Sequence, residues 1–252
     1  MRMRNRNEVL VVIPAFNEGA SVRSVVRGVV ESGFDVVVVD DGSSDMTADE
    51  ALKGGAVVLS LPVNLGVGGA LRCGFRYALS HGYSTVVQCD ADGQHPPHLI
   101  ERLVGEMGLT NADMVIGSRF LASDNQFVPS RVRRLPMLLL ASIASRATST
   151  SITDATSGFR VIRRPLLDQF AENFPVHYLG DTFDALCSAG RAGFRIHEVG
   201  ITMSGRAHGT SSATTFRATG LIFKSVTSAI FGLQLRLQPR SDAEGRLFAS
   251  VD

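Results

Sequence analysis

Residues 9–42 read VLVVIPAFNEGASVRSVVRGVVESGFDVVVVDDG and contain two apolar runs separated by one amphipathic segment. Residues 9–13 predict a buried strand that ends at Pro14. After this strand, five valines recur at helical spacing and predict one apolar helix face that Gly33 closes: Val22, Val25, Val26, Val29 and Val30. Residues 36–39 predict a second buried strand, which leads into two adjacent acids. Strand, helix and strand in this order are typical of a parallel, right-handed crossover.

The same alternation continues along the first half of the chain. We predict helices at residues 47–53, at 66–80 and from Pro97 onward, and strands at 56–61, 85–89 and 113–116. This order indicates an α/β fold with a mostly parallel, doubly wound sheet that carries helices on both faces. In such sheets ligands bind beyond the carboxyl ends of the strands. Polar groups follow the first, second and fourth predicted strands and are expected to converge there: Asn17 and Glu18, Asp40 and Asp41, Asp90 and Asp92.

Size and composition restrict the class of protein. The chain has 252 residues, which fits one α/β domain with a modest C-terminal extension. Lys and Arg number 25 against 24 Asp and Glu, so nothing favours a non-specific nucleic-acid binder. The three cysteines, Cys73, Cys89 and Cys187, lack metal-ligand or disulfide spacing, which suits a reducing compartment and buried positions.

No apolar run reaches the ~20 residues that a membrane-spanning helix needs, and the basic N-terminus lacks a signal-peptide cleavage pattern. Two shorter apolar stretches, residues 135–144 and 221–233, fit either core helices or helices that lie on a membrane surface. Arginines flank the first stretch, as binding to anionic lipid would require: Arg131, Arg133, Arg134 and Arg146. We therefore expect a cytoplasmic protein that can bind peripherally at the inner face of the cytoplasmic membrane, directly or through a membrane-protein partner.

Residues 86–97, VVQCDADGQHPP, contain the strongest chemical feature. A predicted buried strand ends in Asp90 and Asp92, and their spacing lets both carboxylates reach one side of a turn. Paired carboxylate oxygens suit Mg²⁺ or Mn²⁺, which would neutralise charge on a departing diphosphate. Gln94 and His95 are close enough along the chain to be additional ligands or to orient the ligands. On its own, an Asp-x-Asp also occurs in ordinary surface turns.

Two further motifs follow the first two predicted strands. In residues 40–47, DDGSSDMT, one of the two leading acids could accept hydrogen bonds from a nucleobase or ribose, while the other orients the backbone or the metal shell. Residues 13–19, IPAFNEG, fit an ordinary turn that ends the strand and starts the helix. Three of them could also line a nucleoside site: Pro14, Ala15 and Glu18.

Residues 64–74, NLGVGGALRCG, follow the third predicted strand and loosely resemble a dinucleotide-binding loop. Their glycine spacing departs from G-x-G-x-x-G, and they do not follow the first strand, where that loop belongs. This disfavours an oxidoreductase. We interpret the glycines as the closely packed start of a helix beneath the donor.

Seven motifs occur in a fixed order along residues 9–215: VVIPAFNEG, VVVVDDGSSDMT, NLGVGGALRCGF, VVQCDADGQHPP, VIGSRF, DATSGFRVIRR and GFRIHEVGITMSGRAHGTSS. With these motifs in this order, the chain resembles the family 2 glycosyltransferases of GT-A fold. It is most similar to the branch that contains dolichol-phosphate mannose synthase and bacterial polyprenyl-phosphate sugar transferases. The resemblance strengthens the interpretation of the Asp-x-Asp as a metal site.

The resemblance implies roles for individual residues. The nucleoside half of the donor would contact Pro14, Ala15, Glu18 and Asp41, and metal and diphosphate would contact Asp90, Asp92 and Gln94. Arg119 would face sugar or phosphate groups, which suits a permanently charged, forked guanidinium, although a structural ion pair is the alternative. Arg206 would belong to a lid over the donor and acceptor phosphates, with Gly205 and Gly209 giving the lid its freedom to move.

The activity implied by the resemblance is an inverting, metal-dependent transfer of a sugar from a GDP-mannose or UDP-glucose type donor to a polyprenyl phosphate. Asp92 and Arg119 would carry the catalysis, and an acceptor phosphate, already anionic, needs no general base. A glycan or small hydroxyl acceptor, as in cell-envelope polysaccharide synthesis, would need a carboxylate to take its proton. Asp181 and Asp184 in LGDTFDAL are the candidates, with surface helix acids as the alternative.

Two rival classes differ from the transferase. A nucleotide-sugar-binding protein without turnover would not need to keep Asp90, Asp92 and Arg119. A sugar nucleotidyltransferase would need a Gly-rich basic loop at the first strand, and IPAFNEG lacks that charge.

The domain organisation follows from the same motifs. We predict one GT-A domain at residues 1–235, with a nucleotide-sugar-binding half at 1–118 and an acceptor-side half at 119–235 that holds the interfacial helices. Residues 236–252 are polar and predict a loose C-terminal tail.

Overall fold

A computed structural model gives the architecture of the chain. It describes residues 8–121, 131–176, 181–202 and 237–240, and only the backbone of residues 131–134. Within these ranges the strands are β1 Val9–Ala15, β2 Asp35–Asp40, β3 Val57–Ser60, β4 Thr85–Gln88, β5 Met114–Ser118, β6 Arg160–Arg163 and β7 Ile196–Gly200. The helices are α1 Val22–Glu31, α2 Thr47–Gly54, α3 Gly66–Ser80, α4 Ile100–Thr110, α5 Arg131–Thr148, α6 Leu166–Asn173 and α7 Asp181–Arg191.

The seven strands form a single sheet in the order β3-β2-β1-β4-β6-β5-β7. Alternate residues of β1 enter two separate cores, because successive side chains of a strand point to opposite faces. Leu10 and Val12 pack in the core that holds α3, α5, α6 and α7. Val9 and Val11 pack in the core that holds α1, α2 and α4. The predicted sheet, mostly parallel with helices on both faces, is confirmed.

Most predicted elements lie within a residue or two of their positions in the structure, and α3 occupies the predicted residues. Two predictions at the first strand and helix were wrong. β1 continues through Pro14 to Ala15, because pairing with β4 already ends at Val12 and the missing N–H of Pro14 lies beyond it. Val30, predicted to face inward, is exposed near the end of α1. In addition, a 3₁₀ turn at Pro97–Leu99 precedes α4.

The main departure from the predicted topology is β6. It lies between β4 and β5 and is antiparallel to both, with Gln88 opposite Arg160 and Thr85 opposite Arg163. The residues that precede β6 therefore arrive at the carboxyl end of β4. This reversal brings a segment from the second half of the chain to the edge where the acidic motifs lie.

The helix α5 contains the first apolar stretch and divides its side chains between core and surface. Leu140 and Ala144 are buried, whereas Leu135, Leu138 and Leu139 are exposed, Leu135 to 76%. Among the described residues, no helix combines the length and apolarity that crossing a membrane requires. The second stretch, residues 221–233, lies outside the described part of the chain.

Four residues of the segment that we expected to be loose, 237–240, are held against the domain. Leu237 packs against the core that holds α3, α5, α6 and α7. The backbone of Gln238 exchanges hydrogen bonds of 2.7 and 3.1 Å with the side-chain amide of Gln169 on α6. Arg240 Nε donates to Asp113 Oδ2 at 2.7 Å. Gln238 and Arg240 thus bond to the domain, and the loose tail predicted at residues 236–252 stays a prediction for the residues outside the described part of the chain.

The cysteines are free thiols. Cys89 and Cys187 are buried as predicted, and Cys73 is half-buried. Burial raises the pKa of Cys187 to about 12 and also raises the pKa of Cys89 well above its ordinary value. Both side chains therefore behave as small apolar groups.

Candidate active site at the carboxyl edge of the sheet

The loops that follow β1 and β2 are joined by hydrogen bonds into one unit. The backbone N–H of Asn17 donates to Ser43 Oγ at 2.9 Å, and the side-chain Oδ1 of Asn17 accepts from the backbone N–H of Ser44 at 2.9 Å. Gly19 N–H donates to Asp45 Oδ2 at 3.0 Å. Asn17 adopts a left-handed backbone conformation with φ 55°, which asparagine tolerates better than most residues. This pairing gives the edge above β1 and β2 a fixed shape.

The predicted nucleoside residues lie along this unit. Pro14 is half-buried and Ala15 buried at the end of β1, while Glu18 begins the turn into α1 and accepts from Ser21 Oγ at 2.9 Å. The N–H of Glu18 donates to Thr47 Oγ1 at 2.9 Å. The structure thus brings these residues together at one edge, and their contact with a nucleoside stays a prediction.

The two adjacent acids after β2 both organise backbone. Asp40 Oδ1 accepts from the N–H of Ser43 at 3.1 Å. Asp41 uses both oxygens at the start of α3, accepting from Leu65 N–H at 2.7 Å and Gly66 N–H at 2.8 Å. Burial raises the pKa of Asp41, while these two N–H donors oppose the rise. Asp41 therefore joins the loops after β2 and β3, and the predicted nucleoside contact would add to that role.

The Asp-x-Asp turn lies at the end of β4, in the middle of the sheet. The side chain of Asp90 is 40% exposed, and Asp92 is buried, with Oδ1 accepting from the N–H of Gln94 at 3.0 Å. His95 is buried beneath the turn, where Nδ1 accepts from the backbone N–H of Asp90 at 2.9 Å. Its ring stacks on Phe159 with centroids 4.8 Å apart. His95 thus holds the turn through its backbone, and its predicted part in binding a metal stays a prediction.

The glycine before Phe159 allows β6's leading loop to approach the turn closely. A β-carbon at Gly158 would lie 3.1 Å from Asp90 Oδ1 and 3.3 Å from Asp90 Oδ2. Glycine therefore leaves a cradle around the more exposed of the two carboxylates.

The donor set at this turn fits Mg²⁺ or Mn²⁺. Asp90 and Asp92 supply hard carboxylate oxygens, and Gln94 belongs to the same turn, with its backbone N–H bonded to Asp92. Within the described residues, no group of three or more His, Cys, Asp or Glu could enclose a metal. A site with two carboxylates is open, and that is how proteins bind Mg²⁺ together with substrate phosphates.

Arg119, at the end of β5, forms a two-pronged ion pair with Asp154. Nε donates to Oδ2 at 2.7 Å and Nη2 donates to Oδ1 at 2.8 Å, and Nη2 also reaches Thr156 Oγ1 at 3.0 Å. The Arg119 side chain keeps 20% exposure, and that of Asp154 has none. Burial lowers the pKa of Arg119, but Asp154 and then Asp90 outweigh it and raise the pKa overall. The structural ion pair considered for Arg119 is present, and a substrate contact stays a prediction.

Asp181 begins α7 and lies buried against the start of α3. A β-carbon at Gly68 would come within 2.5 Å of Asp181 Oδ2 and 1.9 Å of the Pro175 carbonyl oxygen. The predicted close packing at the start of α3 is thus confirmed. Asp184 follows one turn later and is half-buried. The role of either acid as a general base is untested. Arg206 and the predicted lid lie outside the described residues.

Three residues near the site had no role in the sequence reasoning: Asp154, Arg160 and Glu198. Asp154 and Arg160 belong to the motif DATSGFR, and each is almost fully buried. Glu198 lies in β7 and accepts from the N–H groups of Thr153 and Asp154. A charged residue inside an apolar strand pattern was the available signal for Arg160 and Glu198.

Comparison with known proteins agrees with this architecture. The chain is 32% identical to the polyprenol monophosphomannose synthase of Mycolicibacterium smegmatis, over 91% of this chain and 90% of the relative. It is 34% identical to the undecaprenyl-phosphate mannosyltransferase of Micrococcus luteus, over 81% of this chain and 86% of the relative.

A solved structure shares the fold. Glucosyl-3-phosphoglycerate synthase of Mycobacterium tuberculosis, in complex with Mn²⁺, UDP-glucose and phosphoglyceric acid, is 25% identical with a TM-score of 0.67. That match covers 89% of this chain and 78% of the synthase chain. Residues 10–170 match the sequence profile of Glycosyl transferase family 2. With this profile and relatives above 30% identity, the chain belongs to glycosyl transferase family 2.

Proposed function

We propose that this chain is an inverting, divalent-metal-dependent hexosyltransferase that moves a sugar from a nucleotide-diphosphate sugar to a polyprenyl phosphate. One observation carries the proposal: two carboxylates, Asp90 and Asp92, follow β4 in the middle of the carboxyl edge of the sheet, and Arg119 follows β5 at the same edge. The names of the relatives support the acceptor, because two of them are polyprenol or undecaprenyl-phosphate mannose transferases.

The donor would lie with its nucleoside over the joined loops after β1 and β2. Hydrogen bonds within the protein hold this unit together, since they connect Asn17, Glu18 and Gly19 to residues 43–47. A preformed edge spends little conformational entropy on binding. Pro14, Ala15, Glu18 and Asp41 are the residues of this unit that we assign to the nucleoside.

Asp90 and Asp92, with Gln94, would hold Mg²⁺ or Mn²⁺ beside the diphosphate. The cation, when bound, would offset the negative charge that develops on the leaving nucleoside diphosphate. The chain's own part is to present Asp90 rigidly, through His95 below the turn and Gly158 beside it. Arg119 would add a fixed positive charge for sugar or phosphate oxygens, with its orientation set by Asp154.

An acceptor phosphate supports a mechanism without a general base. Its oxygen is already anionic, so positioning and charge stabilisation would suffice. Asp181 is buried against α3, a position that suits packing more than proton transfer with a solvent-borne substrate. A hydroxyl acceptor would require Asp181 or Asp184 to take a proton, and the transfer assay separates the two cases.

A lipid acceptor would also explain why α5 exposes several leucine side chains. Leu135, Leu138 and Leu139 lie at helical spacing, so they share one face, and Arg146 near the helix end is exposed. Apolar residues with neighbouring arginines suit the surface of an anionic membrane, where a polyprenyl phosphate resides. We propose peripheral contact with the membrane through this face.

The test is a transfer assay with purified chain, undecaprenyl phosphate, and GDP-mannose or UDP-glucose labelled in the sugar. We expect lipid-soluble label from one donor, with Mg²⁺ or Mn²⁺ required and EDTA inhibiting. Asp92→Ala should abolish transfer while the protein stays folded, and the size-conserving Asp92→Asn should do the same. Asp168→Asn, at a carboxylate on α6 that pairs only with Arg164 among the described residues, is the matched control. Unchanged turnover of Asp92→Ala at saturating Mn²⁺, or label moving only to hydroxyl acceptors, would contradict the proposal.

A further inference from the structure

Residues 153–158, which we call the 153–158 loop, lead into β6 and contact both charged groups of the candidate site. At one end, Asp154 holds the guanidinium of Arg119 with two hydrogen bonds. At the other end, Gly158 lies against the carboxylate of Asp90. The shape of this loop therefore sets how far Arg119 stands from Asp90.

Arg160, directly after the loop, is only 1% exposed and is among the largest fully buried side chains of the described residues. Nε donates to the carbonyl of Ser157 at 2.8 Å and Nη2 to the carbonyl of Ala155 at 3.2 Å. Nη1 donates to the carbonyl of Thr182, in the first turn of α7, at 2.7 Å. The guanidinium thus fastens the end of the loop to α7.

Burying the charged guanidinium of Arg160 costs desolvation free energy, and hydrogen bonds to neutral carbonyls are a poor way to recover it. Within the described residues, the hydrogen bonds of Arg160 all go to carbonyl groups. Burial lowers its pKa to about 10, and the nearby charges of Asp154 and Glu198 offset only part of that lowering. An apolar residue of similar volume would fill the same space without the desolvation cost. The charge therefore needs a reason other than packing.

Glu198 holds the beginning of the loop in a complementary way. Its carboxylate accepts from Thr153 N–H at 2.8 Å, from Asp154 N–H at 2.7 Å and from Thr153 Oγ1 at 2.9 Å. The buried carboxylate of Glu198 thus accepts hydrogen bonds from the N–H groups at the start of the loop, while the buried guanidinium of Arg160 donates to carbonyls near its end. Ser157 Oγ adds a bond of 2.6 Å to the carbonyl of Gly117 on β5.

We propose that Arg160 and Glu198 are positioning residues for sugar transfer: they clamp the 153–158 loop from its two ends so that Asp154 holds Arg119 in its productive place. The inference rests on the proposed function. Both side chains are buried, so they act through Asp154 and Arg119 and not by touching a substrate.

The test compares Arg160→Lys and Glu198→Gln with the matched control Arg163→Lys. Lysine keeps the charge, but its donors all sit on one nitrogen and cannot replace the three separate nitrogens with which Arg160 reaches the carbonyls of Ser157, Thr182 and Ala155. Glutamine cannot accept from the same N–H groups with its amide nitrogen. We expect each variant to lower kcat by about tenfold to 100-fold, since small misplacements of a catalytic group cost this much. KM for the nucleotide sugar should stay within about twofold, because uniform binding is kept. Arg163 lies at the opposite end of β6 and pairs with Asp113, so its variant should keep wild-type kcat.

A second measurement separates positioning from a purely structural role. Arg160→Lys and Glu198→Gln are each combined with Arg119→Lys, which removes the forked contact while keeping a cation beside Asp154. If the two residues act through Arg119, neither should lower kcat further in this background. A structural role would lower the folded fraction and leave kcat per folded molecule unchanged. If Arg160→Lys does not fold, Glu198→Gln and Ser157→Ala carry the same comparison.

The outcomes keep the two proposals apart. A folded wild-type chain that transfers no sugar to polyprenyl phosphate overturns the proposed function. If the wild-type chain is active, any of three results overturns the positioning inference. The first is a kcat unchanged by Arg160→Lys and Glu198→Gln, and the second is a kcat unchanged by Arg119→Lys. The third is that Arg160→Lys and Glu198→Gln lower kcat by the same factor with and without Arg119→Lys.

Discussion

His95 Nδ1 accepts a hydrogen bond of 2.9 Å from the backbone N–H of Asp90, across the turn that carries both candidate metal carboxylates. The bond runs from residue 95 back to residue 90, so it closes the turn from below and leaves the carboxylate of Asp90 half-exposed above it. The imidazole is itself fixed by stacking on Phe159. The turn therefore depends on a side chain that faces the core.

Replacing that imidazole should loosen the turn. We expect His95→Ala to lower the free energy of unfolding by about 1–3 kcal/mol, because it removes a buried ring and leaves the partly buried N–H of Asp90 without its acceptor. Urea denaturation followed by circular dichroism measures this. His98→Ala, at an exposed histidine of the 3₁₀ turn Pro97–Leu99, should change stability by no more than about 0.5 kcal/mol. Equal stability of His95→Ala and wild type would show that the turn does not need the imidazole.

Gly158 should be intolerant of even a methyl group. A β-carbon there would lie 3.1 Å from Asp90 Oδ1, so Gly158→Ala should displace that carboxylate. We expect Mn²⁺-dependent affinity for a nucleoside diphosphate, measured by calorimetry, to fall by about tenfold or more. Gly105→Ala on α4 is the matched control, because nothing lies within 4 Å of its β-carbon. Equal affinities for wild type and Gly158→Ala would mean that Asp90 yields without consequence for the metal.

The exposed leucines of α5 should govern membrane binding. Wild-type chain should float with vesicles that contain anionic lipid at low salt and be released at high salt. Changing Leu135, Leu138 and Leu139 together to serine should reduce flotation at low salt, since it removes the apolar contact. Leu109→Ser, at a leucine exposed on α4, is the control and should float like wild type. Flotation of the triple variant at the wild-type level would exclude this face as the contact.

Arg240 should contribute to stability although it lies near the end of the chain. Its Nε donates to the buried carboxylate of Asp113 at 2.7 Å, and its N–H donates to the carbonyl of Ala192 at 2.8 Å. We expect Arg240→Ala to cost about 1–3 kcal/mol in thermal or urea unfolding, because a buried acid loses a charged partner. Arg164→Ala removes an exposed pair with Asp168 and should cost at most about 1 kcal/mol. Similar losses from both variants would show that burial of Asp113 adds nothing.

Sequence reasoning succeeded where the information is local. The helix α3 and the strands up to β5 follow from apolar periodicity and from turn residues, and the Asp-x-Asp follows from two acids at the end of a buried strand. The packing of the glycines at the start of α3 was also predictable, because their spacing excludes the usual dinucleotide loop. Each of these features depends on residues within about one element of each other.

Prediction from the sequence failed where interacting residues are distant along the chain. Arg119 and Asp154 are 35 residues apart, and Glu198 reaches Thr153 across 45 residues, so no spacing rule connects them. The direction of β6 was equally inaccessible, since RVIR fits a buried strand in either orientation. Asp41 shows a further limit: the sequence indicated that two adjacent acids need separate tasks, but not that both would serve the backbone.

The reversed strand β6 has a consequence for how the protein could be divided. Among the described elements, β5 pairs only with β6 and β7, and it does not touch β4 at all. The polypeptide up to residue 121 would thus carry a strand whose neighbours on either side are encoded later. A fragment that ends at residue 121 would therefore contain β5 without either of the strands that it pairs with.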